Sequence, residues 1–469
     1  MSEDALARQV DAELALFTYP LQDWVRPMRG PDGLAVHNVV IVGGGQAGLT
    51  IAFALRQERI SGVVVLDENP EGLEGPWITY ARMITLRTLK FLTGPDLGVP
   101  SLTFRRWHAA RYGDDAWESL VRIDKADWMR YLNWFRRTLK IPVRNKTRVA
   151  RIEPAGAFWR LHLDGGEVML TREIVLATGL EGGGARRVPD FARVGLPRDV
   201  WAHTADPIDF SRLHGLRVAV VGGGASAYDN AATALEHGAA FVEMFIRRDS
   251  IALVNQFRAL ESSGFWRNFA DLNDATRLRF MYRLLSFPMP PPQDSVDRVM
   301  RHANVSVRFG TPVLDAVPGI RLRTKSGWHE TDFLILGTGF TVDLHARPEL
   351  SAIADHVATW SDRYHPPVDR LNAEMGRHPF VGSGFELLEK TPGTMPGLRR
   401  IRMFNGGSMV STGPVSTGLN GMPFGMPRLI KHISCDFLRD QASAVLEDFE
   451  TYDEPDAWEA VRTAEDARR

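Results

Sequence analysis

Two stretches of this chain carry small residues at a spacing that binds phosphate. In "VVIVGGGQAGLT" (39–50) Gly43, Gly45 and Gly48 follow an apolar run and open a helical pattern. In "VAVVGGGASAYDN" (218–230) Gly222, Gly224 and Ala227 do the same. A pyrophosphate needs free N–H groups and the positive end of a helix dipole. The first glycine makes the turn, the second lets the backbone approach, and the third lets helix pack on strand; alanine is tolerated at the third. Gln46 and Ala47 begin the first helix, Ala225 and Ser226 the second, and all four are expected to bind cofactor with the glycines.

The strand ends downstream sort the two sites. "GVVVLDEN" ends in Asp67 and Glu68, about two dozen residues past the first turn. An acid there accepts hydrogen bonds from a ribose diol and opposes a 2′-phosphate, so the first dinucleotide is FAD or NAD(H). "FVEMFIRRDS" ends in Arg247 and Arg248. Two guanidiniums at that place suit a 2′-phosphate, so the second site takes NADPH.

These turns require strand–turn–helix–strand units to hold them. Residues 37–67 and 217–248 each have that pattern, and "EIVLATGL" and "DFLILGTGF" end each half alike. The chain therefore contains an approximate internal repeat. The expected fold is α/β, with two Rossmann-like dinucleotide-binding domains, the NADPH domain inserted in the FAD domain. The expected divisions are a helical extension at 1–36, an FAD domain at 37–195 and 325–445, an NADPH domain with a helical insert at 196–324, and an acidic tail at 446–469.

At 469 residues two domains are expected. The 56 basic and 57 acidic residues nearly cancel, and the basic ones are scattered, which gives no electrostatic case for nucleic acid or an anionic membrane. The longest apolar runs are strand-length. Cys435 is the one cysteine. That excludes a redox-active pair within the chain and fits a reducing compartment, the cytoplasm. No metal-ligand spacing is present.

This arrangement resembles the two-dinucleotide-binding flavoproteins, and among them the class B flavoprotein monooxygenases, which include flavin-containing and N-hydroxylating enzymes. The resemblance spans most of 37–435. It implies FAD at the first turn and NADPH at the second. "LATG" (176–179) and "LGTGF" (336–340) look like the paired strand ends that cross between domains, with Thr178, Gly179, Thr338 and Gly339 among them. "GPW" (75–77) looks like the family's stretch beside the flavin, which places Trp77 there. Val149 matches a backbone contact to adenine. In "LPRDVWAHTADPIDF" only His203 survives from the family's phenylalanine-glycine-histidine fingerprint, and it is read as a packing histidine ahead of a functional one.

The implied reaction is oxygenation of a small molecule by O2 through a flavin C4a-(hydro)peroxide, with NADPH as hydride donor. N-hydroxylation or ring hydroxylation of a nitrogen-containing substrate is expected, with urate-like purines one candidate. The flavin's neighbours are sought in two segments. Arg82, Arg87 and Lys90 in "TYARMITLRTLKFLTGP" could face flavin or an anionic substrate, and Arg87 is the catalytic candidate among them. In the glycine-rich loop 405–425 the candidate is Asn405, where N–H groups could stabilise charge on reduced flavin. The rival functions are an NAD(P)H-dependent reductase or oxidase without oxygen insertion, and a non-catalytic nucleotide sensor.

Overall fold

A computed structural model describes residues 1–17, 22–31, 33–91 and 94–453. Two sheets form its centre, the first parallel in its core with Phe158–Leu163 antiparallel to both its neighbours, the second parallel throughout. In the first, Val143–Arg144, Val63–Leu66, Ala35–Val42, Val168–Leu176, Phe158–Leu163 and Val149–Ala155 lie in that spatial order. Ile401–Met403 pairs with Val168–Leu176, so the chain returns to this sheet near its end. The second sheet runs Val305–Arg308, Phe241–Phe245, Arg217–Val221, Phe333–Leu336 and Trp201–His203, with all neighbours parallel. Near-continuous apolar runs such as "VVIV" and "FLIL" suit such strands, which are covered on both faces.

The helices Gln46–Gln57 and Ala225–Glu236 follow the two glycine turns and bury most of their length. The segments joining one sheet to the other pair as Gly184–Arg186 with Phe340–Val342. This crossing corrects the expected return to the first domain at 325. Phe333–Leu336 hydrogen-bonds Arg217–Val221 in the second sheet. Division after 324 would also cut Arg321–Thr324 from its hairpin partner Gly327–Glu330. By pairing, the return lies beyond Leu336. The apolar "DFLIL" serves the second sheet because its register continues the parallel ladder.

The N-terminal helix Glu3–Leu16 is capped by Ser2 and buries Leu6 and Val10 against the body. The last helix, Met422–Thr451, takes in 446–451 of the expected acidic tail; residues 454–469 of that tail lie outside the described ones. This helix is tied to the first sheet through buried charges. Arg402 donates to Glu173 at 3.1 Å and to Asp436 at 2.6 Å, and all three are almost fully buried. Burial pushes the Glu173 carboxyl up from its ordinary value, with Arg402 opposing.

Candidate nucleotide and flavin site

The two turns are built alike. The Gly43 amide donates to Leu66 O at 2.7 Å, and the Gly222 amide to Phe245 O at 3.1 Å. Each ties its turn to the neighbouring strand end. Both first glycines have positive φ, +109° and +136°. A Cβ on Gly43 would lie 2.5 Å from Ala177 O, and one on Gly222 2.3 Å from Gly337 O, so no other residue fits either place.

The third position differs for a reason that lies across the turn. A Cβ on Gly48 would stand 1.8 Å from Gly43 O. In the second unit the helix carries Ala227, and the strand end opposite is Gly337, where a Cβ would meet that of Ala227 at 2.6 Å. The first unit has glycine on the helix and Ala177 on the strand end; the second has the reverse. In the first unit it is the Gly43 carbonyl, and in the second the bare Gly337, that decides whether the helix can carry a methyl.

Both helices begin without a side-chain cap, at Gly45 and Gly224. Helices elsewhere in the chain are capped by Thr103, Asp124 and Asn273. An absent cap leaves the first N–H groups, those of Gln46, Ala47, Ala225 and Ser226, for an anion; a capping side chain is ordinarily worth about 1 kcal/mol. Space is also kept in front of the turns. A Cβ on Gly224 would meet nothing within 4 Å, and one on Gly45 would first meet Gly75 Cα at 3.9 Å. Beside the first turn, Gln46 Oε1 and Trp77 Nε1 are buried without a hydrogen-bond partner. Buried polar atoms are rarely left so. The open cradle, the uncapped helix and two orphaned polar atoms at one turn fit a dinucleotide with a polar ring system beside it.

Asp67 is buried at the end of its strand. Its Oδ2 accepts from the Gly44 amide at 2.7 Å, and its Oδ1 from the Asn69 backbone and side chain at 2.8 and 3.0 Å. A carboxylate has about four lone-pair sites, so one remains for a ribose hydroxyl. Glu68 instead points outward, 3.8 Å from Arg148. Val149 is buried two residues past Thr147, whose amide donates to Asp67 O at 2.8 Å. Arg247 and Arg248 are exposed, and among the described residues neither meets a carboxylate within 4 Å. Burial, and then Arg247 beside it, push the Arg248 guanidinium below its ordinary value. A pair of like charges left without a counter-ion suits an incoming dianion.

The crossing strand ends are held by side chains. Thr178 Oγ1 accepts from Asn405 Nδ2 at 3.0 Å, and Gly179 O accepts from the Gly406 amide at 3.0 Å. Thr338 donates to Arg187 O, and Gly339 O accepts from the Arg187 amide at 2.9 Å and from His203 Nε2 at 3.0 Å. With its Nδ1 accepting from the Ala205 amide, His203 is a fully engaged packing histidine. Burial lowers its pKa first of all.

Both catalytic candidates have partners within the chain. Asn405 is fully buried; besides Thr178, it accepts from the Gly407 amide at 2.9 Å, and its carbonyl accepts from Ser408 and Ser416. It fastens the 405–416 loop to the end of Val168–Leu176. Arg87 donates to Asp229 Oδ2 at 3.1 Å on the helix Ala225–Glu236, where Ser295 also donates, at 2.6 Å. It bridges the two nucleotide units. Arg82 is spent on Thr79 O and Ile208 O, and Lys90 on Trp117 O.

Sequence reading missed the glycines that let the loops meet. A Cβ on Gly182 would stand 1.8 Å from Thr178 Oγ1, and one on Gly183 2.6 Å from Gly407 Cα. The run "EGGG" directly after "LATG" was the available signal. His378, also missed, is buried and donates to Gly407 O at 3.1 Å; burial lowers its pKa to about 4. Among the described residues no cluster of His, Cys, Asp and Glu could hold a metal ion, and no helix is long and apolar enough to cross a membrane.

With this geometry in hand, known proteins give the class. Residues 40–258 match the family described as pyridine nucleotide-disulphide oxidoreductase. The chain is 41% identical over 459 residues to an FAD-dependent urate hydroxylase of Xanthomonas campestris pv. campestris, covering 97% of each. It is 27% identical over 208 residues to an indole-3-pyruvate monooxygenase of Oryza sativa subsp. japonica, covering 44% of this chain and 46% of that one. Among solved structures, the ornithine hydroxylase of Pseudomonas aeruginosa superposes with TM-score 0.66 at 17% identity, over 85% of this chain and 98% of that one. The L-lysine 6-monooxygenase of Pseudomonas syringae gives 0.65 at 18% identity, over 85% and 99%. The fold is that of the two-dinucleotide-binding flavoproteins. The chain belongs to the class B flavoprotein monooxygenases and is a flavin-dependent monooxygenase, with the urate hydroxylase as a full-length relative.

Proposed function

We propose that this enzyme uses FAD, NADPH and O2 to hydroxylate urate or a closely related oxidised purine. The observation that carries the substrate is the 41% identity to the FAD-dependent urate hydroxylase across 97% of both chains. On this reading FAD lies along the first turn, its pyrophosphate on the Gln46 and Ala47 amides and its ribose on Asp67, with Val149 at the adenine and the ring system beside Trp77. NADPH lies along the second turn, its 2′-phosphate between Arg247 and Arg248. Bound FAD supplies hydride acceptance from NADPH and activation of O2.

The protein's part is placement and exclusion of water. Asn405, Thr178, Ser408 and Ser416 fix the loop that leads into the helix Met422–Thr451, whose N-terminal end favours negative charge. Arg87 holds the nucleotide units in register through Asp229. The single cysteine, Cys435, supports a reducing compartment such as the cytoplasm and leaves no pair for disulfide chemistry within the chain. The test is turnover in air. Urate should raise NADPH consumption, with one urate lost per NADPH. Replacing Arg247 and Arg248 by Ala should reduce the preference for NADPH over NADH about ten- to hundredfold, the worth of one or two charge-assisted hydrogen bonds. NADPH oxidation that urate neither accelerates nor couples to its own loss refutes the substrate; an unchanged coenzyme preference refutes the role of the arginines.

A further inference from the structure

Trp77 begins an unbroken series of electron-rich rings that ends at the surface. Its ring centroid is 6.3 Å from that of Trp128. Trp128 is 5.1 Å from Tyr131, Tyr131 is 5.9 Å from Trp107, and Trp107 is 6.4 Å from Tyr112. Trp128, Tyr131 and Trp107 are all buried, and Tyr112 is 44% exposed. They lie on the helices Phe104–Tyr112 and Lys125–Thr138, which cover the first nucleotide unit.

The polar atoms of these rings fall into two kinds. The indole nitrogens of Trp77, Trp128 and Trp107 are buried and have no acceptor. The Tyr131 hydroxyl donates to Leu102 O at 2.7 Å, and a carbonyl is no base. Burial pushes the Tyr131 phenol well above its ordinary pKa. A ring that loses an electron but cannot shed its proton stays a strong oxidant and takes an electron from the next ring. Tyr112 alone in the series has a base: its hydroxyl donates to Asp127 Oδ1 at 2.6 Å. Arg111, over both Trp107 and Tyr112, donates from Nε to the Tyr112 hydroxyl at 3.1 Å, which leaves that hydroxyl's own proton directed at Asp127, and the Arg111 charge is met by Glu3.

We propose that Trp77, Trp128, Tyr131, Trp107 and Tyr112 form a path that carries oxidising equivalents out of the flavin site to the surface. The proposal rests on Trp77 lying beside the flavin. A strong one-electron oxidant in the site, a hydroxyl radical from stray peroxide being the chemical class, takes an electron from Trp77 and leaves as hydroxide. The vacancy passes ring to ring by transfer of single electrons. It ends at Tyr112, which loses its electron inward and its proton to Asp127. The neutral tyrosyl radical at the surface is then restored by a hydrogen atom from a soluble thiol, and Asp127 releases its proton to water. The path spares the substrate-binding groups and the flavin.

Light-excited oxidised FAD in the intact holoenzyme is a clean one-electron oxidant for the test. Transient absorption and freeze-quenched electron paramagnetic resonance should show a tyrosyl radical after blue-light excitation. Tyr112→Phe should reduce that signal at least tenfold while leaving coupled turnover unchanged. Trp128→Phe should remove it by stopping the vacancy at Trp77, and Asp127→Asn should shorten its lifetime. Trp77→Phe should both abolish it and raise the fluorescence of bound flavin. Flavin fluorescence unchanged in Trp77→Phe would overturn the placement of the flavin and the path with it. Flavin fluorescence raised, but a tyrosyl signal that survives Tyr112→Phe or Trp128→Phe, would overturn the path alone.

Discussion

At residue scale, the two glycine turns show how one geometry is met by two sequences. In the first unit the Gly43 carbonyl leaves no room for a methyl at Gly48; in the second the helix carries the Ala227 methyl and the strand end opposite is the bare Gly337. Gly337→Ala therefore puts two methyls where one fits. Overpacking of this kind costs about 1–3 kcal/mol. Thermal denaturation should show the loss, and adding Ala227→Gly should recover most of it; a double variant no more stable than the single one contradicts the pairing. Alanine at the third position was legible in the sequence as a tolerated change, and its compensation by "LGTG" was not. The compensating glycine lies 110 residues away and meets the alanine only when the strands pair. The partners of the candidate arginines are hidden from the sequence for a similar reason. A cation interleaved with apolar residues does not reveal which carbonyl or carboxylate a distant element will bring to it, and Asp229 is 142 residues from Arg87.

At element scale, the last long helix is the piece most dependent on buried charge. Asp436 accepts from Arg402 and also faces Arg399 and Arg439. Asp436→Ala leaves the Arg402 guanidinium buried with one partner fewer, and removing half of a buried pair costs about 3–5 kcal/mol. Urea denaturation should show that loss, and a loss under 1 kcal/mol would mean the helix is held by packing alone. The loop that Asn405 fastens is linked to pH through His378. Unfolded, this histidine takes up a proton near pH 6.5; folded, it resists until about 4. Its folded pKa is depressed, so its stability contribution is full above 6.5 and is lost as pH falls toward 4. The loss is about 1.4 kcal/mol per pH unit in that window. Denaturant midpoints measured from pH 7 to 4 should fall less steeply in His378→Gln; equal slopes would assign the acid sensitivity elsewhere. The strands and helices were themselves readable from apolar runs and glycine stops. The His378 contact was not, because "GRHPF" carries no local sign of which loop it supports.

At the scale of the whole molecule, the internal repeat explains the division of labour. Two units with the same turn receive opposite charges at the next strand end: Asp67 in one, Arg247 and Arg248 in the other. Crossing segments paired at Gly184–Arg186 and Phe340–Val342 set the units side by side, and Arg87 joins them at Asp229. The sequence showed both units and their order. It misplaced the second crossing because "DFLILGTGF" looks the same whichever sheet it joins, and only register decides. The central claim is that these two sites cooperate to place one oxygen atom from O2 on an oxidised purine. The most direct measurement supplies the FAD-loaded enzyme with NADPH, urate and isotopically heavy O2, then weighs the product before it decomposes. The account predicts one heavy oxygen atom per product molecule and one NADPH consumed for each. Heavy label recovered only in hydrogen peroxide and water, with urate intact, would contradict it.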